Sequence, residues 1–169
     1  MTAPPPLKTA RLTLRPVEPA DEAAVVPALN DLAVTGWLAV VPFPYAPTDF
    51  QYFLTEIARP GVAFAVGAAR GLAGIMSIEA GILGYRFAPR CHGQGYATEA
   101  ARAVVASHLA ADPTDMISGY FKGNTRSANV LAKLGFVETG RSSDMSKARG
   151  VETGLAHLEL GRAGWHPAA

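Results

Sequence analysis

The chain has 169 residues, 49% apolar and 17% charged, with a formal net charge of +1. That composition is globular and long enough to bury a sizeable core, which excludes an intrinsically disordered chain. The near-neutral charge gives no electrostatic reason to expect nucleic acid or an anionic membrane as partner, and the single cysteine, Cys91, excludes an intramolecular disulfide and argues against a cysteine-based zinc site.

Residues 1–6, MTAPPP, predict a mobile Pro-rich tail. The opening MTAPPPLKTA holds no apolar core of signal-peptide length, and no apolar run approaches about 18 residues, so no membrane span is expected. The expectation is a cytoplasmic protein with one domain over residues 7–169. RLTLRPV (Arg11–Val17) alternates with the period of a half-buried strand. EPADEAAVVPALNDL reads as a helix with Pro19 near its start, ended or kinked by Pro27. VTGWLAVVPFPYAP, aromatic and Pro-rich, reads as a shaped loop. TDFQYFLTEIAR (Thr48–Arg59) is the clearest helix: Thr48 and Gln51 form a capping box, and Phe50, Phe53, Leu54 and Ile57 share one face.

VAFAVGAA, LAGIMSIEA and ILGYRFA follow as three strands whose short gaps favour antiparallel hairpins. A helix is predicted at about Tyr96–Ala110, then a strand around DMISGYFK. A second helix, Thr125–Leu134, takes Asn124 as N-cap and Gly135 as C-cap. FVETGR and ETGLAHLEL complete the strands. The fold class is therefore mixed α/β (α+β): a mainly antiparallel sheet of about six to seven strands with helices on both faces.

PRCHGQGYATEA (Pro89–Ala100) lies between the strand ILGYRFA and a helix. Two glycines two apart permit positive φ and close backbone approach, and the following helix N-terminus adds its positive dipole end. Both suit a phosphate. The stretch lacks the lysine of a P-loop. As a dinucleotide fingerprint, Gly93-x-Gly95-x-x-Thr98 lacks the third glycine, and its strand comes mid-chain after hairpins. A glycine-rich turn that only joins a strand to a helix is the plain alternative.

Arg90-Cys91-His92-Gly93-Gln94-Gly95 resembles the [QR]-x-x-G-x-[GA] loop that binds the acyl-CoA pyrophosphate in the GNAT superfamily of N-acetyltransferases. GNTRSANVLAKLGF (Gly123–Phe136) resembles that superfamily's second signature, N-x-x-[SA]-x-x-[VL]-[LY]-x-x-x-G-F, through Asn124, Ser127, Val130, Leu131, Gly135 and Phe136. LKTARLTLRPVEPAD, FPYAPTD and LELGRAGW resemble the RimJ/RimL branch, named for acetyltransferases of ribosomal-protein N-termini. The resemblance spans roughly residues 7–165.

The resemblance implies a GNAT fold and an enzyme that uses acetyl-CoA as co-substrate. An amine, either a protein N-terminus or a small molecule, would attack the thioester directly, without an acyl-enzyme. It implies cofactor contacts at Phe87, Arg90, Cys91, His92, Gly93, Gln94, Gly95, Tyr96, Ala97 and Asn124, with GYRFA pairing with pantetheine and an N–H near Phe87 polarising the thioester carbonyl. The chemistry needs a deprotonated amine, a donor for the oxyanion and stabilisation of the leaving thiolate.

Many members carry a tyrosine seven residues after the asparagine. Here Leu131 stands there, so Ser127 is the substitute catalytic residue, at the least as a hydrogen-bond donor to sulfur. Glu79 is the candidate base; Glu99, in a first helical turn, reads as structural, and a water chain to solvent is the alternative base. Trp37, Phe43, Tyr45 and Tyr85 are candidate acceptor contacts, with core packing as their alternative. No metal is expected, since the four histidines are scattered and form no H-E-x-x-H pattern. The assembly is expected to be a monomer or a homodimer. A non-catalytic acyl-CoA sensor or regulator is the reading from another class.

Overall fold

A computed structural model describes residues 5–167. The tail expected over residues 1–6 lies outside the described residues except for Pro5 and Pro6, as do the last two residues of the domain expected over 7–169. In chain order the strands are β1 (Leu7–Lys8), β2 (Thr13–Pro16), β3 (Ala63–Ala68), β4 (Gly71–Glu79), β5 (Ile82–Phe87), β6 (Met116–Phe121), β7 (Val137–Ser146) and β8 (Val151–Leu160). The helices are α1 (Glu22–Leu29), α2 (Leu32–Thr35), α3 (Pro47–Tyr52), α4 (Tyr96–Ala111) and α5 (Thr125–Leu134). One sheet runs β1-β2-β3-β4-β5-β6-β8-β7. Its eight strands exceed the expected six to seven, and the two-residue β1 is too short to leave an alternating pattern in sequence.

Each face of the sheet carries its own core. Leu14, Val66, Met76, Leu83 and Phe87 pack beneath α4 and α5 with Val104, Val105, Leu131 and Leu134. Ala63, Ala65 and Ile75 pack on the other face with Val25 and Leu29 from α1, Phe50 from α3 and Phe53 just after it. Strand alternation sorts the side chains. The register shifts on β4, where Val66 pairs with Gly74 and Gly67 with Leu72, so Ala73 is a bulge.

Several local expectations need correction. The loop predicted from VTGWLAVVPFPYAP begins instead as α2, capped by Asp31, whose side chain accepts from the Ala33 N–H at 2.8 Å. Pro27 does not end α1, which continues to Leu29; it sits near the C-terminal end, where little helix remains to disrupt. Helix α3 starts at Pro47, so its capping carboxylate is Asp49, accepting the Ala46 N–H at 2.7 Å. Gln51 turns away and donates to Glu22 at 2.6 Å. From Phe53 to Ile57 the helix widens into a π turn, which buries Phe53 and leaves Ile57 exposed.

All neighbouring strands pair antiparallel except β5 and β6. That parallel pair meets at one register position, Ile82 with Ile117. The Ile117 N–H donates to the Gly81 carbonyl at 2.9 Å. One step on, the buried Ser118 hydroxyl donates to the Leu83 carbonyl, also at 2.9 Å. A side chain has replaced the next rung of the ladder, and beyond it the strands diverge. No helix among the described residues is long and apolar enough to cross a membrane.

Candidate active site

The divergence of β5 and β6 opens a cleft of about 430 Å³. Leu83–Phe87 and Ser118–Phe121 form its sides, α2 and the following loop (Val34, Trp37, Leu38) one end, and the loop before α4 together with α5 the other. Since the Gly81 and Leu83 carbonyls face β6, the two-residue repeat of a strand turns the backbone groups of Tyr85 and Phe87 into the same gap. The Phe87 carbonyl meets His92 Nε2 at 2.9 Å. A carbonyl only accepts, so Nε2 carries the proton.

The loop before α4 is built to present donors. Gly93 and Gly95 hold φ of 72° and 77°, the left-handed region that favours glycine. Among the described residues, no protein acceptor meets the backbone N–H groups of Gly93 through Thr98. Six successive donors therefore stand unmet at the N-terminus of a 16-residue helix, an arrangement that attracts an anion. The loop is pinned from outside. Arg11 donates to the Gln94 carbonyl at 2.9 Å and holds Glu99 Oε2 at 2.7 Å, while Thr9 donates to the other oxygen. Burial alone would raise the Glu99 carboxyl, but these hydrogen bonds from Thr9 and Arg11 hold it below its usual value. Glu99 thus anchors the loop.

Helix α5 supplies the facing wall. Asn124 caps it through Oδ1, which accepts the Ser127 N–H at 3.3 Å, leaving the amide Nδ2 free at the cleft. Ser127 Oγ lies 2.7 Å from the Tyr85 hydroxyl. Burial pushes the Tyr85 phenol up to about 12, against the smaller lowering effect of Ser127. This tyrosine–serine pair joins β5 to α5 across the cleft. Leu131, at the position where many relatives of the motif carry tyrosine, is fully buried in the core and does not reach the cleft.

Of the residues expected at the cofactor, Phe87, Cys91, His92, Gly93, Gly95, Tyr96, Ala97 and Asn124 line the cleft. Arg90 and Gln94 do not: Arg90 donates to the Leu72 carbonyl, and Gln94 to the Arg90 carbonyl at 2.7 Å, so both brace the loop. Ser127, Trp37 and Tyr85 line the cleft; Phe43 and Tyr45 do not, and Tyr45 is buried in the core beside α1–α3. Glu79 lies outside it, at the end of β4, paired with Arg59 at 2.6 Å. Sequence reasoning missed Arg86, Gly119, Arg126 and Lys133, all of which line the cleft. No carboxylate lines it, and no metal-holding group of three or more His, Cys, Asp or Glu occurs among the described residues.

Comparison with curated proteins gives no match. Solved structures match along nearly their full lengths. An acetyltransferase of the GNAT family from Bacillus anthracis is 21% identical, with 94% of this chain and 99% of that one covered and a TM-score of 0.77. Ribosomal-protein-S5-alanine acetyltransferase from Vibrio fischeri is 18% identical, with coverage of 96% and 99% and a TM-score of 0.78. Spermidine N-acetyltransferase from Vibrio cholerae, solved with CoA and spermine, is 17% identical, with coverage of 92% and 98% and a TM-score of 0.75. At such identities the likeness is one of fold. The acetyltransferase (GNAT) domain family itself matches residues 11–137, a span holding the donor loop, the diverging strands and α5 together, and so the chain belongs to that family and is an N-acetyltransferase.

Proposed function

We propose that the enzyme transfers the acetyl group of acetyl-CoA to a primary amine by direct attack on the thioester. The observation that carries this reading is the cradle of unpartnered N–H groups, Gly93 to Thr98, opening onto the gap between β5 and β6. The cradle suits a pyrophosphate. The backbone edge of Tyr85 and Phe87 suits the amides of pantetheine, which bond as a strand would, and Asn124 Nδ2 adds a donor beside it. In this arrangement the Phe87 N–H polarises the thioester carbonyl and receives the oxyanion.

The neutral amine forms the new C–N bond, the C–S bond breaks, and the proton lost by nitrogen ends on sulfur. Tyr85 is not the net source of that proton. Its phenol, at about 12, is a weaker acid than a thiol near about 8.5. Its part is to hold Ser127 Oγ, so that the serine O–H points at sulfur while the nitrogen's proton is passed on. With no carboxylate among the described residues that line the cleft, the acceptor loses its first proton to water. Glu79 has no role in this scheme.

The acceptor is a protein N-terminus or a small amine. The RimJ/RimL-like ends of the chain favour the former. The named acceptors of the two Vibrio structures differ widely, so fold alone does not choose between them. Calorimetric titration with acetyl-CoA, free CoA and NAD tests the reading, on the natural protein and on Gly95→Trp. Saturable acetyl-CoA binding that the variant loses, with NAD silent, is the expected result; a folded protein that fails to bind acetyl-CoA refutes it.

A further inference from the structure

Arg86, Arg126 and Lys133 line the cleft without a part in the transfer reaction, and of the three Arg86 is the one on β5. It lies on β5 between Tyr85 and Phe87, but its side chain leaves by the opposite face of the sheet. Tyr85 and Phe87 pack toward α4 and α5. Arg86 pairs in register with Ile75 of the other core and lays its guanidinium over the Phe53 ring, 4.5 Å from the centroid. It therefore stands across the sheet from the donor loop, on the α1–α3 side, and still lines the cleft.

Apart from that stack, the guanidinium has no hydrogen-bond or ion-pair partner among the described residues. Its Nε is buried without an acceptor, and among the described residues no carboxylate lies within ion-pair distance of it. The carboxylates on its side of the sheet are engaged elsewhere or exposed. Asp21 is held by Arg15 at 2.7 Å, Asp49 caps Ala46, Asp31 caps Ala33 and Glu22 accepts from Gln51; Glu56 is exposed. Arg15, also partly buried, shows what a satisfied arginine looks like in this fold, with a two-pronged carboxylate. Stacking on a ring leaves the in-plane donors of Arg86 free. The charged residues that line the cleft, Arg86, Arg126 and Lys133, are all cationic.

We propose that Arg86 is the acceptor-side anion site, and that the acceptor is an amine carrying its own carboxylate. The guanidinium grips the carboxylate on the α1–α3 side, and the amine projects through the gap toward the thioester. This rests on the acetyl-transfer reading for which group is the acceptor, but the anion site itself is a property of the protein alone. A polyamine, offered only cations and no carboxylate by the cleft, is a poor fit. The carboxylate belongs either to a free amino acid or to an acidic residue near a peptide N-terminus.

The test uses benzoate as probe and benzamide as its neutral twin, read by calorimetry and by the Arg86 Nε–H resonance, with and without saturating CoA. Benzoate is expected to bind with either form, benzamide at least tenfold more weakly, and Arg86→Met to weaken benzoate roughly 10- to 100-fold, the range of a charge-assisted pair. Arg86→Lys should keep part of the affinity. CoA binding should be equal in all forms, which separates failure of this site from failure of the cofactor reading. Glutamate and an Asp-led peptide amide, each used to displace benzoate, then identify the source of the carboxylate. The proposal is overturned if benzoate binds no better than benzamide, if Arg86→Met binds it as well as the natural protein, or if neither amine displaces it.

Discussion

Replacing Arg86 by methionine should make the protein more stable, an unusual outcome for a buried residue. The guanidinium is drawn from water into an apolar corner, and burial pulls it down from its ordinary value to about 10, with Tyr45 nearby opposing the shift. A displacement of that size corresponds to about 3 kcal/mol against the charged form. The residue keeps some exposure toward the cleft, and the stack on Phe53 returns about 0.5–1 kcal/mol, so the net cost is about 1–2 kcal/mol. The sign with pH follows from a base whose folded value is lowered. The cost is fully present below about 10 and is relieved only as pH rises above that toward the ordinary guanidinium range. At pH 7 it is therefore complete. Methionine is an unbranched, flexible side chain that fills much of the same space without charge, so Arg86→Met should melt about 3–6 °C higher by thermal denaturation at pH 7. Benzoate should raise the melting temperature of the natural protein and leave the variant's unchanged. A variant destabilised by more than about 1 kcal/mol would refute the reasoning, because it would mean that Arg86 is already satisfied in the folded protein.

Ser127→Ala should lower kcat roughly tenfold in a thiol-release assay while leaving acetyl-CoA affinity within about twofold, and Tyr85→Phe should lower it less, because it only orients the serine. With no carboxylate among the described residues that line the cleft, kcat/KM should rise with pH until the acceptor's own amine is neutral, and the inflection should follow the acceptor across amines of different pKa. An inflection fixed at the same pH for every acceptor would instead reveal an enzymic base, with His92 the first to test. Because hydrogen bonds lower the Glu99 carboxyl despite its burial, its contribution is present above the usual carboxylate range and is lost as pH falls through the lowered value; Arg11→Ala should weaken acetyl-CoA binding about three- to tenfold and speed amide exchange over Gly93–Thr98, with little change in global stability since Arg11 is half-exposed.

What could be read from sequence was whatever neighbouring residues determine together. The donor loop is one such case: Gly93, Gly95 and the start of α4 sit within a few positions, and glycine spacing fixes the backbone. The caps Asn124 and Gly135 are another. The π turn after α3 was not legible, because an apolar face drawn at 3.6 residues per turn gives no sign of a turn that closes on five. The capping box lies two residues before Thr48 and Gln51 because Pro47, loop-like in sequence, is the first helical residue. The Tyr85–Ser127 pair spans 42 positions and depends on how far β5 and β6 diverge, which is a tertiary fact. Arg86 illustrates the limit most clearly. A charged residue in an alternating strand reads as solvent-facing, and only the absence of a carboxylate partner among the described residues gives it meaning.

The cleft leaves donors unmet at the edge of one strand and on one of its faces, and the cause is local. At Ser118 a hydroxyl takes the place of a backbone rung. At Gly119 the neighbouring strand passes so close that a Cβ would stand 2.9 Å from the Ala156 carbonyl, so β6 follows β8 there, away from β5. The backbone of Tyr85 and Phe87 is left facing the gap, and the guanidinium of Arg86 is left without a carboxylate on the reverse. Unpaired donors cost stability where they are buried, as Arg86 Nε is, so this stretch of β5 depends on what binds it. A ligand that meets those donors recovers that cost on binding, and ligands at the edge and on the α1–α3 face of the same strand recover it separately. Cofactor and acceptor should therefore raise the melting temperature additively, each by its own mass-action term, and the sum should hold in Ser127→Ala, where both still bind but transfer is slow.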